Sequence, residues 1–440
     1  MERIRSYRAQ LYAHVRSHWE SKSTPWITQL CGKSGMGKTT LARSYLEAFN
    51  GEYFSLRNLD AAFAPRIFLS GCKLWKDFFA EIGETKNRPV IFFDDMDDRN
   101  DKEEFLNALP ALAGEAYVVL LVRNLMELPF PFDVIQMTAM TMPMLLAENR
   151  ALEPLDALRT IAITDGIPEL VRLFDFQKSF AENLSPLFAH DSAYFCYAES
   201  ELRRNFRTPE TYNILLYGMA TGYNRISQLS EFSGFPQNKC DKYLKALDKA
   251  GLLETEQKKD AAGHIRTHYY PKGGYWKTWF RYVFPSQGRY LEVQKEEALQ
   301  QLVDEMDKTI VVEYFKKVCW NWLEKNYHSC YWDGFLKFDD PKQRDVMVNG
   351  VRFDYVQETK DHTIYVKIWD NVREGFPKEA FQKIEAATTA VRPFYENIYF
   401  LFSAGRACNY VEEVRNLETV SVVNLKSLVG QKNKDVFEKL

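Results

Sequence analysis

Gly32-Lys33-Ser34-Gly35-Met36-Gly37-Lys38-Thr39 stands between the β-prone run Trp26–Cys31 and the helix-prone run Thr40–Leu46, and this junction decides the fold. The eight residues fit GxxxxGK[ST], a pattern that carries weight only where a strand leads in and a helix leads out. Gly32, Gly35 and Gly37 let the backbone curl until successive N–H groups converge on phosphate oxygens. The helix that follows adds its positive end. Lys38 brings a point charge to the outer phosphates, and the Thr39 hydroxyl is a magnesium ligand. Residues Gly32 through Thr40 therefore read as an ATP/ADP site that also takes Mg2+.

Such a site needs a second strand ending in a carboxylate. Val90-Ile91-Phe92-Phe93 followed by Asp94-Asp95 supplies it, since four consecutive apolar residues suit a strand buried on both faces of a parallel sheet. Asp94 is expected on the metal. Asp95 stands where a carboxylate would polarise the attacking water, although aspartate is shorter there than glutamate. Asp97 and Asp98 continue the acidic run. Tyr117–Val122 is a third strand, ending at Arg123-Asn124. Glu52–Leu56 reads as a further strand and Leu74–Ile82 as an amphipathic helix. Strands alternating with helices imply a doubly wound parallel sheet, an α/β P-loop NTPase core over residues 1–140.

The 440 residues leave room for about two further domains. A hydrophobic share of 46% against 27% charged excludes wholesale disorder. With a net charge of −3 there is no global footprint of a nucleic-acid binder, which leaves a local basic surface as the route to DNA. Seven scattered cysteines without a CxxC pair argue against a disulfide framework or a zinc site. The charged N-terminal stretch has no apolar core of a secretory signal, and no apolar run approaches the roughly 20 residues of a membrane helix. The expectation is a cytoplasmic protein with no membrane partner.

The order of features resembles the prokaryotic STAND-type ATPases of the archaeal ATPase family, near the AAA-like branch. Ile163-Thr164-Asp165-Gly166-Ile167-Pro168-Glu169-Leu170-Val171 matches that family's glycine-x-proline segment. The likeness implies a helical lid over 141–205 with Gly166 and Pro168 against the nucleotide base. It also implies that Arg123, at the end of its strand, senses the γ-phosphate. Phe206–Leu215 resembles the family's lead-in to a winged-helix domain, and Gly273–Tyr282 its aromatic exit. The C-terminal part resembles the nuclease-fold domain that ends many of these chains.

The middle segment, 206–290, also reads independently as a winged helix-turn-helix. Ile226–Gly234 is a short helix stopped by glycine, and Gln237–Gly251 is a second with Cys240, Tyr243, Leu244 and Leu247 on one face. A polar stretch returning to His268-Tyr269-Tyr270 makes the wing. If the module reads DNA, Gln237, Asn238, Lys239, Lys242 and Lys245 face the groove, with Lys258, Lys259 and Arg266 on the wing. Asp241 and Asp248 interrupt that surface, so internal regulation is an equal reading.

Residues 291–440 carry a helix, Thr309–Lys325, with Glu313. Two hairpin strands follow, Val351–Val356 and Thr363–Trp369, with Lys360-Asp361 at their tip. A helix, Lys378–Val391, and a strand, Ile398–Phe402, come next. The pattern is that of a PD-(D/E)XK (restriction-endonuclease-like) fold. Its chemistry needs two carboxylates on magnesium and a lysine. Asp354 and Lys367 occupy matching positions, but the middle acid is Tyr365, and a phenol does not replace a carboxylate on a hard cation. Glu358 and Glu313 are the remaining candidates for a nuclease remnant. Three functions follow as alternatives. One is an ATP-hydrolysing switch acting on DNA or a protein partner, self-association included. The others are an ATP-gated DNA nuclease and a DNA-binding regulator with ATP as ligand.

Overall fold

The computed structural model describes residues 2–21, 25–57, 68, 71–83, 89–97, 99–259, 264–286, 296–326, 343–359, 362–391, 396–406, 410–411 and 419–430. Asp98, Lys360, Asp361, Cys330 and Cys408, and the Lys259 side chain, lie outside the described set. The chain divides into two units, Met1–Ala139 and Met140–Leu440.

The first unit is built on β1 (Ile27–Cys31), β2 (Gly51–Ser55), β3 (Val90–Asp94), β4 (Tyr117–Val122) and β5 (Asp133–Gln136). They form one sheet in the order β2-β3-β4-β1-β5, with every pairing parallel. Every residue of β1, β3 and β4 is buried, as strands covered on both faces must be. Phe78, Phe79, Phe93, Phe105 and Trp75 fill one side of the sheet with edge-on and stacked rings. Buried polar side chains in β1 are satisfied within the sheet layer. Thr28 Oγ1 meets Tyr117 Oη at 2.6 Å, and the Gln29 amide holds both backbone groups of Met126. The chain leaves β1 toward β2 on one side, while β4 crosses over β1 to β5 on the other. That reversal opens a crevice at the carboxyl end of β1, the place where open α/β sheets bind ligands. β5 is too short and too polar to have been read as a strand.

The second unit begins with helices Met142–Glu148, Pro154–Thr164, Pro168–Val171, Phe180–Leu187 and Ala193–Asn205. Helices Pro209–Ala220, Ile226–Ser233 and Gln237–Lys249 follow. An antiparallel hairpin of β6 (Leu253–Lys259) and β7 (Ile265–Pro271) comes next. Gly234 closes the short helix at φ 71°, the left-handed stop expected of glycine. After helix Gly274–Thr278 the chain widens into a π-helical turn at Trp279–Val283, and a second such turn, Asp307–Val311, precedes helix Val312–Asn326. The final sheet runs β12-β11-β10-β9-β8, from β8 (Arg344–Val348), β9 (Val351–Glu358), β10 (His362–Ile368), β11 (Glu396–Ser403) and β12 (Val420–Asn424). β8, β9 and β10 are antiparallel neighbours, and β11 lies parallel to β10 after the crossover helix Lys378–Thr389.

Two junctions tie this unit together. Asp307, 4% exposed, accepts Arg159 Nε at 2.9 Å and Nη2 at 2.6 Å, and Arg373 Nε at 2.6 Å. It thereby joins helix Pro154–Thr164 to the loop after β10. Asp165, in the left-handed region at φ 51°, caps helix Gly274–Thr278 by accepting the Gly274 amide at 2.7 Å and the Tyr275 amide at 3.3 Å. A Cβ at Gly274 would stand 1.7 Å from the Ala162 carbonyl oxygen and one at Gly273 2.3 Å from Asp165 Oδ2, which is why two glycines stand in succession here.

Candidate nucleotide site

Lys38 opens helix Lys38–Leu46, and Gly37, at φ 94°, is the N-cap residue that turns the loop into it. Gly35 is also left-handed, at φ 74°. These angles are easy for glycine alone and give the loop its curl. The first helical bond runs from the Leu41 amide to the Gly37 carbonyl, so the amides of Lys38, Thr39 and Thr40 precede the intrahelical ladder. Met36 is buried beneath the loop, Ser34 is half-buried, and Lys33 and Thr40 are exposed. The Lys38 ammonium folds back onto the Gly32 and Lys33 carbonyls. Burial lowers its pKa against the opposing pull of Asp94 and Asp97. An anionic ligand would restore what burial takes from that charge.

Asp94, at the end of β3 and 8% exposed, faces the loop. Its Oδ2 accepts the Thr39 hydroxyl at 2.9 Å, and its Oδ1 accepts the Asp95 amide at 2.8 Å. A hydroxyl and a carboxylate in contact are hard oxygen donors of the kind magnesium takes, so these residues fit that ion. Asp95 adopts φ 65°, an uncommon conformation for a residue with a side chain, and its carboxylate lies 3.5 Å from Arg57 Nε. Arg123 is held by Asp97, whose two oxygens each lie 3.0 Å from the Arg123 amide and one 3.6 Å from Nε. Asp97 is thus more than a continuation of an acidic run.

One contact was not legible in the sequence. Tyr53 Oη donates to Asp94 Oδ2 at 2.6 Å, so the carboxylate expected on the metal has a partner on β2. Burial first, and then the Asp94 hydrogen bond and charge, push the Tyr53 phenol well above its ordinary pKa. The only hint was alternation: Phe54 packs into the aromatic core against Phe78 and Phe93, so Tyr53 faces the other way.

Residues 28–116 match the family model of the ATPase family associated with various cellular activities (AAA). That span runs from β1 through the phosphate loop and β3 to the threshold of β4. The first unit carries an AAA ATPase domain. No curated protein matches the chain. Among solved structures, it is similar to the Walker-type ATPase PABY2304 of Pyrococcus abyssi, at 16% identity over 61% of this chain and 94% of that one, TM-score 0.40. It is also similar to the Aeropyrum pernix Orc1 protein in complex with DNA, at 13% identity over 66% and 93%, TM-score 0.36. A Thermotoga maritima RuvB variant aligns at 17% identity over 60% and 91%, TM-score 0.30. No helix among the described residues is long and apolar enough to cross a membrane.

The remaining candidate residues belong to the second unit. Gly166 and Pro168 are buried within it. The Gly166 carbonyl accepts the Met140 amide at 2.7 Å, and a Cβ on Gly166 would stand 2.1 Å from the Met140 oxygen. Backbone contact inside this unit therefore accounts for that glycine. Gln237, Asn238, Lys239, Lys242 and Lys245 are all exposed along one helix. Lys245 pairs with Asp241 at 2.7 Å, and the Lys239 ammonium sits 4.1 Å above the Phe235 ring.

Of the four residues read as a nuclease remnant, Asp354 and Lys367 come together, one step past the Tyr355–Val366 pair on adjacent strands, with the Lys367 charge acting on Asp354, whereas Glu313 and Glu358 stand apart. Glu313 binds Lys277, which is also held by Glu254 at 2.6 Å, because Lys277 is buried and needs both carboxylates. Helix Val312–Asn326 instead delivers Lys316, one turn on, to Asp354 at 3.6 Å and Asp370 at 2.8 Å. Asp354 accepts the Ile368 amide at 2.7 Å, and burial raises its pKa. Lys367 Nζ donates to the Arg352 carbonyl at 2.8 Å. Glu358 lies at the far end of β9, opposite Thr363 and about 13 Å along the strand from Asp354, too far to share one metal. Tyr365 is 1% exposed and packs between Phe353 and Tyr399. No group of three metal-ligating side chains occurs among the described residues.

Proposed function

We propose that this chain is a nucleotide-driven switch of the STAND type. ATP and Mg2+ held by Gly32–Thr40 and Asp94 set the state of a lid (141–205), a winged helix (206–290) and a nuclease-like module (291–440). Asp95, Lys38 and Arg123 serve hydrolysis, and the output module acts on DNA or a protein partner. The observation that carries this reading is the Asp307 junction. One buried carboxylate joins the lid helix to the loop that follows β10 of the C-terminal sheet, while Asp165 bolts the glycine-x-proline turn to the helix leaving the winged helix. A change at the lid is thereby transmitted to both output modules as a body. The nuclease-like module binds rather than cuts, because an aromatic core side chain stands where the middle acid belongs.

Lys38→Ala should abolish nucleotide binding and turnover. In the wild type, ATP should alter amide hydrogen exchange in helix Gln237–Lys249 and strands β9 and β10. Unchanged exchange there, with ATP bound, would defeat the switch. A DNA output predicts salt-dependent affinity that falls when Lys239 and Lys242 are replaced; its absence at low salt leaves a protein partner.

A further inference from the structure

We infer that Tyr53 is the positioning residue for magnesium at this site. It acts by fixing the carboxylate of Asp94, and the inference rests on the ATP·Mg2+ reading above. A carboxylate at a strand end turns freely about its last bond, whereas a metal site needs one orientation. Here both oxygens are restrained: the Asp95 amide donates to Oδ1, and the Tyr53 hydroxyl donates to Oδ2 at 2.6 Å. Oδ2 also accepts the Thr39 proton, which leaves the lone pairs of the Thr39 oxygen for a cation that both residues would hold.

Strand geometry makes the contact specific. β2 and β3 are parallel, with Tyr53 opposite Phe92 and Ser55 opposite Asp94, so the phenol spans two residues toward the carboxyl end to reach its partner. Phe54, clamped in the core on the other face, prevents β2 from rolling. Asp95 at φ 65° keeps the second donor in place. Groups that orient a metal-bound carboxylate typically change metal affinity or activity by about 10–100-fold when removed.

The test is calorimetric titration of a non-hydrolysable ATP analogue into the full chain, with magnesium and with EDTA, for wild type and Tyr53→Phe. The quantity read is the gain in nucleotide affinity that magnesium confers. The inference expects Tyr53→Phe to keep the magnesium-free affinity and to lose about tenfold of the gain. An unchanged gain would overturn it. So would an equal loss with and without magnesium, which would make the phenol a structural support. Absence of any nucleotide binding by the wild type would defeat the ATP reading instead, so the two failures are distinct.

Discussion

Replacing Asp307 by asparagine perturbs the junction on which the proposed switch depends, and its cost can be worked from the geometry. The carboxylate is 4% exposed and takes three short bonds from two guanidinium groups, at 2.9, 2.6 and 2.6 Å. Hydrogen bonds involving charged groups contribute about 1.5–3 kcal/mol each. Asparagine keeps one acceptor oxygen and loses the charge; with that oxygen in the Oδ2 position one of the three bonds is forfeited and the other two are weakened. Arg159 retains Asp156 at 2.8 Å and Arg373 retains Asp304, which spares part of the penalty of leaving a cation unpaired. The expected loss is about 2–4 kcal/mol. Urea unfolding of Asp307→Asn, Arg373→Met and the double variant measures it. The two substitutions should be strongly non-additive, because both remove the same contact. A change below about 0.5 kcal/mol, the ordinary range of a surface substitution, would refute the reasoning. So would full additivity.

Other outcomes follow from single contacts. Tyr365→Asp restores the acid that the nuclease pattern calls for, yet it places a charge in a site 1% exposed among Phe353, Phe381 and Tyr399. It should destabilise the protein by about 4 kcal/mol or more and produce no magnesium-dependent cleavage; a stable, cleaving variant would contradict the assignment. Gly166→Ala adds a Cβ 2.1 Å from the Met140 oxygen at φ 63°. It should cost about 2–4 kcal/mol in thermal unfolding through left-handed strain and a displaced hydrogen bond. Asp354 titrates above the ordinary carboxylate range because it is buried. The folded state therefore holds that proton more tightly than the unfolded chain. Relative to Asp354→Asn, the wild type should gain stability as pH falls through the raised value and lose it as pH rises. Parallel stability profiles would rule this out.

What the sequence determined by itself is what local chemistry writes locally. Glycine spacing, the Lys38-Thr39 pair and four apolar residues ahead of Asp94 fix a phosphate loop and a buried parallel strand, because each depends on neighbours along the chain. The same holds for the glycine-stopped helix at Gly234 and for strands β9 and β10. Tertiary structure decided which side chains meet. Tyr53 reaches Asp94 from another strand, Asp97 takes Arg123 just past the end of β4, and Asp307 collects arginines from distant segments. Helix Val312–Asn326 turns Glu313 to Lys277 and Lys316 to Asp354, so an ammonium stands beside the acid that the pattern offered to a metal. Periodicity assigns a residue to a face, but the partner across that face comes from elements remote in sequence. For that reason the nucleotide loop was legible from residues 32–39 alone, while the fate of the C-terminal carboxylates was not.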